Sequence, residues 1–289
     1  MQKLIFLFPF FFSFSLFSQN GPNNPLSVRS HGVANASVAF SDINSLFNRQ
    51  AGLADLETIS LLSSIQETFI GPYSASFGVG FAMPTSSGTF GLGIHGFGVE
   101  EINQLKIGLA YARKLMEKLS LGVQFDFLST QISPYDRSML LSNRNNLFTF
   151  EIGLQYELME NLVIGVHLYN PAKLEIIENE YLPRILRTGA TYSVFKKILI
   201  HGELEKDFNF PIVFKSGIEC ELVNSLWFRI GYRVKPTTFN LGMGYQFKNG
   251  FRFDAAAYYQ QGSNLTSSGL FGSSGLVPTV GLGFDFNKK

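Results

Sequence analysis

From about Thr58 to the end, the chain alternates between oily and polar positions in segments of roughly ten residues separated by turns. Phe148, Phe150, Ile152, Leu154 and Tyr156 are spaced by Thr149, Glu151, Gly153 and Gln155. Leu241, Met243, Tyr245 and Phe247 are spaced by Gly242, Gly244 and Gln246. An extended strand points successive side chains to opposite faces, so each segment has one apolar face and one polar or glycine face. Tilted segments of about ten residues span a bilayer, and their serial repetition is the signature of a transmembrane β-barrel. The pattern predicts strands near 58–69, 73–83, 88–97, 103–114, 118–131, 146–157, 161–169, 184–194, 197–206, 212–222, 225–234, 237–247, 250–260 and 276–286. The expected fold is therefore all-β, a transmembrane antiparallel β-barrel of about fourteen strands over residues 57–289.

The connections alternate too. Leu115-Met116-Glu117, Leu158-Met159-Glu160, Phe195-Lys196, Val223-Asn224 and Lys248-Asn249 are tight, whereas Ile132 to Asn145, Asn170 to Pro183 and Gln261 to Gly275 are long. Outer-membrane barrels have short periplasmic turns and longer external loops, so this asymmetry predicts the orientation. Strands running toward the tight turns end in outward aromatics: Tyr111, Tyr156, Tyr192, Tyr245 with Phe247, and Phe284 with Phe286. Rings with a polar edge favour the bilayer boundary, as a periplasmic aromatic girdle requires.

The start of the chain differs. Lys3 followed by the apolar run Leu4 to Phe17, with small Ser18 before Gln19-Asn20, reads as a signal peptide over residues 1–18 cleaved near Ser18. The run is short for a spanning helix and contains Pro9. Residues 19–56 lack two-residue periodicity. Ser41 or Asp42 is placed to cap a short helix through Leu46, and Gly52 to end another turn, so this segment is expected to form short helices outside the sheet.

Composition fits a membrane barrel and narrows its chemistry. Charged residues are only 16% and aromatics 15%, against about a quarter charged in soluble domains. A net charge of +1 gives no electrostatic reason to bind nucleic acid. The single cysteine, Cys220, excludes a disulfide framework and shares the oily face with Phe214, Ile218 and Leu222.

The opposite parity describes the lumen. Glycines crowd it, among them Gly78, Gly80, Gly91, Gly93, Gly122, Gly165, Gly217, Gly231 and Gly242. Missing side chains let another segment lie against the wall, and Val28 to Leu56 is the candidate plug. Charged inward positions carry both signs: Lys106, Asp126, Glu151, Arg187, His201, Glu203, Glu205, Lys215, Glu219, Glu221, Arg229, Arg233, Arg252 and Asp254. Lys215 is expected to pair with Glu203 or Glu205, and Arg229 with Glu219 or Glu221. The two readings are a salt-bridged, rigid lumen and a polar path. Mixed sign argues against strong ion selectivity. Tyr169, Trp227 and Tyr258 also face inward and could line an apolar path.

Catalytic, cofactor and metal chemistry find no support. Gly91-Leu92-Gly93-Ile94-His95-Gly96 matches a dinucleotide fingerprint but lies inside an alternating strand with no helix after it. His167, His201, Glu203 and Glu205 have no ligand-like spacing, and no serine sits in a strained G-x-S-x-G elbow. Asn264-Leu265-Thr266 matches a glycosylation sequon of a kind common by chance.

The stretch Arg29-Ser-His-Gly32-Val-Ala-Asn-Ala36-Ser-Val-Ala39, followed by Asn48-Arg49-Gln50-Ala51-Gly52-Leu53-Ala54, resembles the start of the FadL-like outer-membrane barrels, especially their PorV/PorQ group. Gly88 to Phe97, Leu109 to Arg113 and Asn170 to Leu174 are similar to the same group. Ala34 and Asn35 stand where that group has paired glycines, and Arg49 interrupts its Asn-Pro or Asn-Gln dipeptide. The resemblance implies a non-enzymatic barrel in the outer membrane of a Gram-negative bacterium, surrounded by its lipid. It also implies an N-terminal hatch carrying Arg29, Gly32, Ala36, Asn48, Ala51, Gly52 and Leu53. For function it implies two alternatives. One is an accessory or shuttle in type IX secretion, with secreted proteins or secretion-system components as partners. The other is FadL-like passage of a small hydrophobic ligand. Short external loops and a polar lumen incline the expectation toward the secretion role.

Overall fold

The alternating segments form one closed antiparallel sheet. A computed structural model describes residues 26–68, 74–98, 102–132, 143–177, 180–195, 197–260 and 275–286. The expected signal peptide with its cleavage point at Ser18, parts of all three long connections and the Asn264 sequon lie outside these residues. The strands in chain order are β1 (Ser60–Thr68), β2 (Ser74–Thr85), β3 (Gly88–Gly98), β4 (Ile102–Met116), β5 (Leu119–Ile132), β6 (Asn143–Met159), β7 (Leu162–Tyr169), β8 (Glu175–Ile177) and β9 (Glu180–Tyr181). They continue as β10 (Ile185–Phe195), β11 (Ile198–Asp207), β12 (Val213–Val223), β13 (Leu226–Arg233), β14 (Thr238–Gln246), β15 (Phe251–Gln260) and β16 (Gly275–Asp285).

Each barrel strand pairs with its neighbours in the chain, and β1 closes the cylinder on β16. The short β8–β9 ribbon stands apart from the barrel, leaving fourteen barrel strands among the described residues. The sequence pattern does not predict that ribbon, because strands of three and two residues carry no periodic signal of their own. Closure removes the exposed sheet edges that a bilayer does not tolerate. No described helix is long and apolar enough to cross a membrane.

Register keeps the two faces separate. Leu109 pairs with Leu92 and Phe125 on the outside, while Gly108 pairs with Gly93 and Asp126 on the inside. Leu109 is 62% exposed and Phe125 is 67% exposed, as a lipid-facing wall requires, whereas Asp126 is 1% exposed. Cys220 lies on the outward parity beside Ile218 and Leu222. Tight turns close one end of the cylinder. At Gly250 (φ +90°) a Cβ would collide with the Asp285 carbonyl, so glycine is required there.

The N-terminal segment folds inside the cylinder as short helical pieces: α1 (Val28–Gly32) and 3₁₀ turns at Ile43–Phe47 and Gln50–Asp55. Ser27 caps α1 by accepting from the Ser30 N–H. Asp42 caps the first 3₁₀ turn by accepting from the Asn44 N–H, with Ser45 completing a capping box. Gly52 does not end a turn as expected. It sits within the second 3₁₀ turn, where a Cβ would collide with the Phe40 carbonyl and the Ser45 hydroxyl, so a close approach selects it.

Candidate functional site: a plugged lumen

The plug rests on glycines. A Cβ at Gly165 would collide with the Val38 carbonyl, one at Gly122 with the Ala51 N–H, and one at Gly217 with the Val33 side chain. Gly32 of the plug in turn meets the Arg229 side chain and Gly242. Backbone therefore lies on backbone, and Ala36 and Leu53 are fully enclosed. One edge of the plug is apolar: Ile43, Leu46 and Leu53 pack with Leu62, Ala82, Ala110 and Ala112 of β1, β2 and β4. The void left against the β3–β5 wall, between Phe47, Gly93, His95, Lys106 and Gln124, is about 10 Å³. That is room for about one water.

The other edge is ionic. Arg29 forks onto Glu219, with Nε donating at 3.0 Å to each carboxylate oxygen and Nη2 donating at 2.8 Å to Oε1. It also donates to Asp42 and stacks 4.1 Å over the Phe40 ring. Arg229 continues the chain, donating to Glu219 at 2.8 Å and to Asp254 at 2.7 Å, and Arg252 Nε stands 3.4 Å from Asp254. His201 Nε2 stands 3.0 Å from Glu219. Burial alone would raise the Asp42 carboxyl and lower the Arg29 guanidinium. The Arg29 and Arg252 charges overcome this for Asp42, which is held below its ordinary value, and Glu219 with Asp42 hold Arg29 above its own.

A second group lies on β10–β13. Lys215 Nζ donates to Glu203 at 2.9 Å and to Glu205 at 2.7 Å. Arg187 donates to Glu205 at 2.8 Å, and Arg233 stands 3.9 Å from it. Glu203 also accepts the Ser37 and Val38 backbone N–H groups at 2.9 and 2.8 Å, which ties the wall to the plug main chain. A third group centres on Glu151, which accepts from Lys106, from Gln50 at 2.9 Å and contacts His167 Nε2 at 2.8 Å. Lys106 stands 3.3 Å from Asp126. The pairing of Arg229 goes to Glu219. Glu221 instead accepts the Ser225 N–H.

Arg49 is the exception. It is 0% exposed and donates to the Leu154 and Phe40 carbonyls at 3.2 and 2.7 Å and to the Gln155 side chain, with no carboxylate in ion-pair contact among the described residues. Burial pushes it down to about 9. Asn48, next to it, donates to Ser30 Oγ at 2.6 Å within the plug. Gln155 also reaches Ser41 and Asp55, and Asn240 donates to the His31 carbonyl at 2.6 Å. Inward charge by itself does not reveal these neutral partners. The inward parity of Gln155 and Asn240 was available to find them, but the plug carbonyls and N–H groups left no trace in the pattern. Among the described residues no cluster of His, Cys, Asp and Glu could hold a metal ion.

Toward the long-loop end, Leu128, Tyr169, Leu182 and Ile185 form an apolar cluster backed by Leu147 and Leu174. Leu174 and Leu182 come from the β7–β10 connection, which Asn170 (φ +49°) turns inward while donating to the Leu182 carbonyl at 2.9 Å. Tyr258 accepts from Gln66 and stands edge-on to His31, and Trp227 is partly buried on the inner parity. On the same half of the wall is a groove of about 770 Å³ lined by lipid-facing Phe77, Gly96, Leu105 and Arg144, which also reaches lumen-facing Phe97 and Gln104.

No protein-family model matches the chain, and no curated protein does. Solved structures match over nearly the whole length. The Ralstonia pickettii toluene transporter TbuX aligns with a TM-score of 0.70 at 14% identity, covering 91% of this chain and 98% of that one. The CymD monoaromatic hydrocarbon channel gives 0.70 at 14% identity, with 91% and 97% covered. A Pseudomonas aeruginosa FadL homologue gives 0.65 at 11% identity, with 90% and 98% covered. At such identities the likeness shows the fold. The expected role in type IX secretion is overturned: these barrels are named as a toluene transporter, a monoaromatic hydrocarbon channel and a FadL homologue, none as a PorV/PorQ or secretion protein. The polar lumen that favoured the secretion role is occupied by wall–plug pairing and presents little free polar surface to a cargo.

Proposed function

We propose that this chain is a non-enzymatic outer-membrane channel that passes small hydrophobic compounds when the plug leaves its glycine seat. The observation that carries the reading is its match, over 91% of its length, to a barrel named as a toluene transporter. Two features of the wall support it. The buried cluster around Leu128, Tyr169 and Ile185 lines the long-loop end of the barrel interior with apolar side chains. The groove at Gly96 and Gly98 brings lipid-facing and lumen-facing side chains to one place, where a compound would leave the lumen for the bilayer. Lipid is then the surrounding partner, and the leader over residues 1–18 would direct export.

Uptake of radiolabelled toluene by proteoliposomes tests the reading. Filled vesicles should take up the label faster than empty ones in proportion to protein added. Equal rates would remove the proposal.

A further inference from the structure

The void between the plug and β3–β5 has an aromatic on one side and an unmatched acceptor on the other. Phe47 is the half-buried aromatic of the plug. Its ring lies on glycine wall: Cβ atoms at Gly80 and Gly93 would stand 3.3 and 3.6 Å from ring carbons. Lifting Phe47 away leaves a flat slot the size of one ring, and a dry cavity of roughly 150 Å³ accepts benzene.

Gln124 lines the same void. Its Nε2 donates to Asp126 Oδ1 at 2.8 Å and to Glu151 Oε1 at 3.4 Å. Turning the amide over would set its oxygen against the Asp126 and Glu151 carboxyl oxygens, so the hydrogen-bond network favours this orientation. Oε1 is thereby committed as an acceptor, is buried, and has no protein partner. A buried acceptor without a donor is costly, and a ligand that brings one is favoured over an analogue that does not.

We propose that this slot binds a single aromatic ring carrying a hydrogen-bond donor, of the phenol or aniline class. The ring takes the place of Phe47 over Gly80 and Gly93, and its O–H or N–H donates to Gln124 Oε1. Phe47 is a built-in stand-in for the ligand, so occupancy of the slot and seating of the plug exclude one another. The inference rests on the transport reading and narrows its substrate from a bare hydrocarbon to a ring with a polar donor.

The test uses the full-length protein in detergent, with phenol and toluene as probes in ligand-observed NMR titrations. Phe47→Ala should bind phenol at least tenfold more tightly than toluene, and Phe47→Ala with Gln124→Leu should lose that preference. Binding of neither probe, tighter binding of toluene, or a preference that survives Gln124→Leu would overturn the site. If Phe47→Ala does not fold, Gln124→Leu alone decides through the ratio of phenol to toluene uptake, which must fall. Binding preference without uptake would sink transport and keep the site. Uptake without preference would do the reverse.

Discussion

Arg29 and Glu219 are separated by 190 positions in sequence, yet the guanidinium of one forks onto the carboxylate of the other deep inside the barrel. The pair joins the plug to β12, and Arg229 and His201 are built around the same carboxylate. Removing one member of a buried pair costs about 3–5 kcal/mol, because the survivor stays charged and dry. Glu219→Gln should therefore unseat the plug. Planar bilayers should show almost no steady conductance for the parent protein and clear openings for the variant. Adding Arg29→Gln should close part of that conductance, since the stranded charge is gone.

Gly165 tests the seat from the wall side. Its missing Cβ is the space that the Val38 carbonyl occupies. Gly165→Val should leave the barrel able to fold, because valine suits a strand, but should exclude the plug. The expected result is normal heat-modifiable mobility on gels together with new protease cleavage within residues 26–56.

Acid should act on the plug through Asp42. Its seated value lies below the ordinary 3.8, because the Arg29 and Arg252 charges overcome the effect of burial. A depressed carboxyl stabilises the seated form fully above its ordinary value and loses that contribution as pH falls through the seated one. Conductance should thus stay flat from neutral pH down to the ordinary carboxylate value and rise only below it. Asp42→Asn should abolish the contribution of this residue and raise the baseline at neutral pH. A rise already at mildly acidic pH in both proteins would assign the response to another group.

Leu109 tests which face meets lipid. It stands on β4, on the outer face of the wall. Leu109→Arg should cost about 2–4 kcal/mol if this position lies near the bilayer midplane. Urea titration of folding into lipid vesicles measures it. A change near zero would place Leu109 in water.

Much of this is legible in the sequence alone. The parity that put Phe125 outside and Asp126 inside is a local property of extended backbone and survives into the barrel unchanged. The glycines at Gly122, Gly165 and Gly217 announced that something must lie close to the wall. The inclination toward secretion rests on short external loops and a polar lumen, and it fails because inward charge need not stay free for a cargo. Lys106, Glu203 and Glu219 are instead consumed by partners in the plug and the neighbouring strands.

What the amino-acid order determined by itself is two-sidedness: which residues meet lipid, which face inward, and where the chain turns. These follow from a two-residue period and from short-range turn chemistry. Which inward groups meet was decided only by closure of β1 on β16 and by insertion of the plug. Those steps bring together positions as distant as Arg29 and Glu219, or Phe47 and Gln124, and contacts between residues so far apart have no period to reveal them.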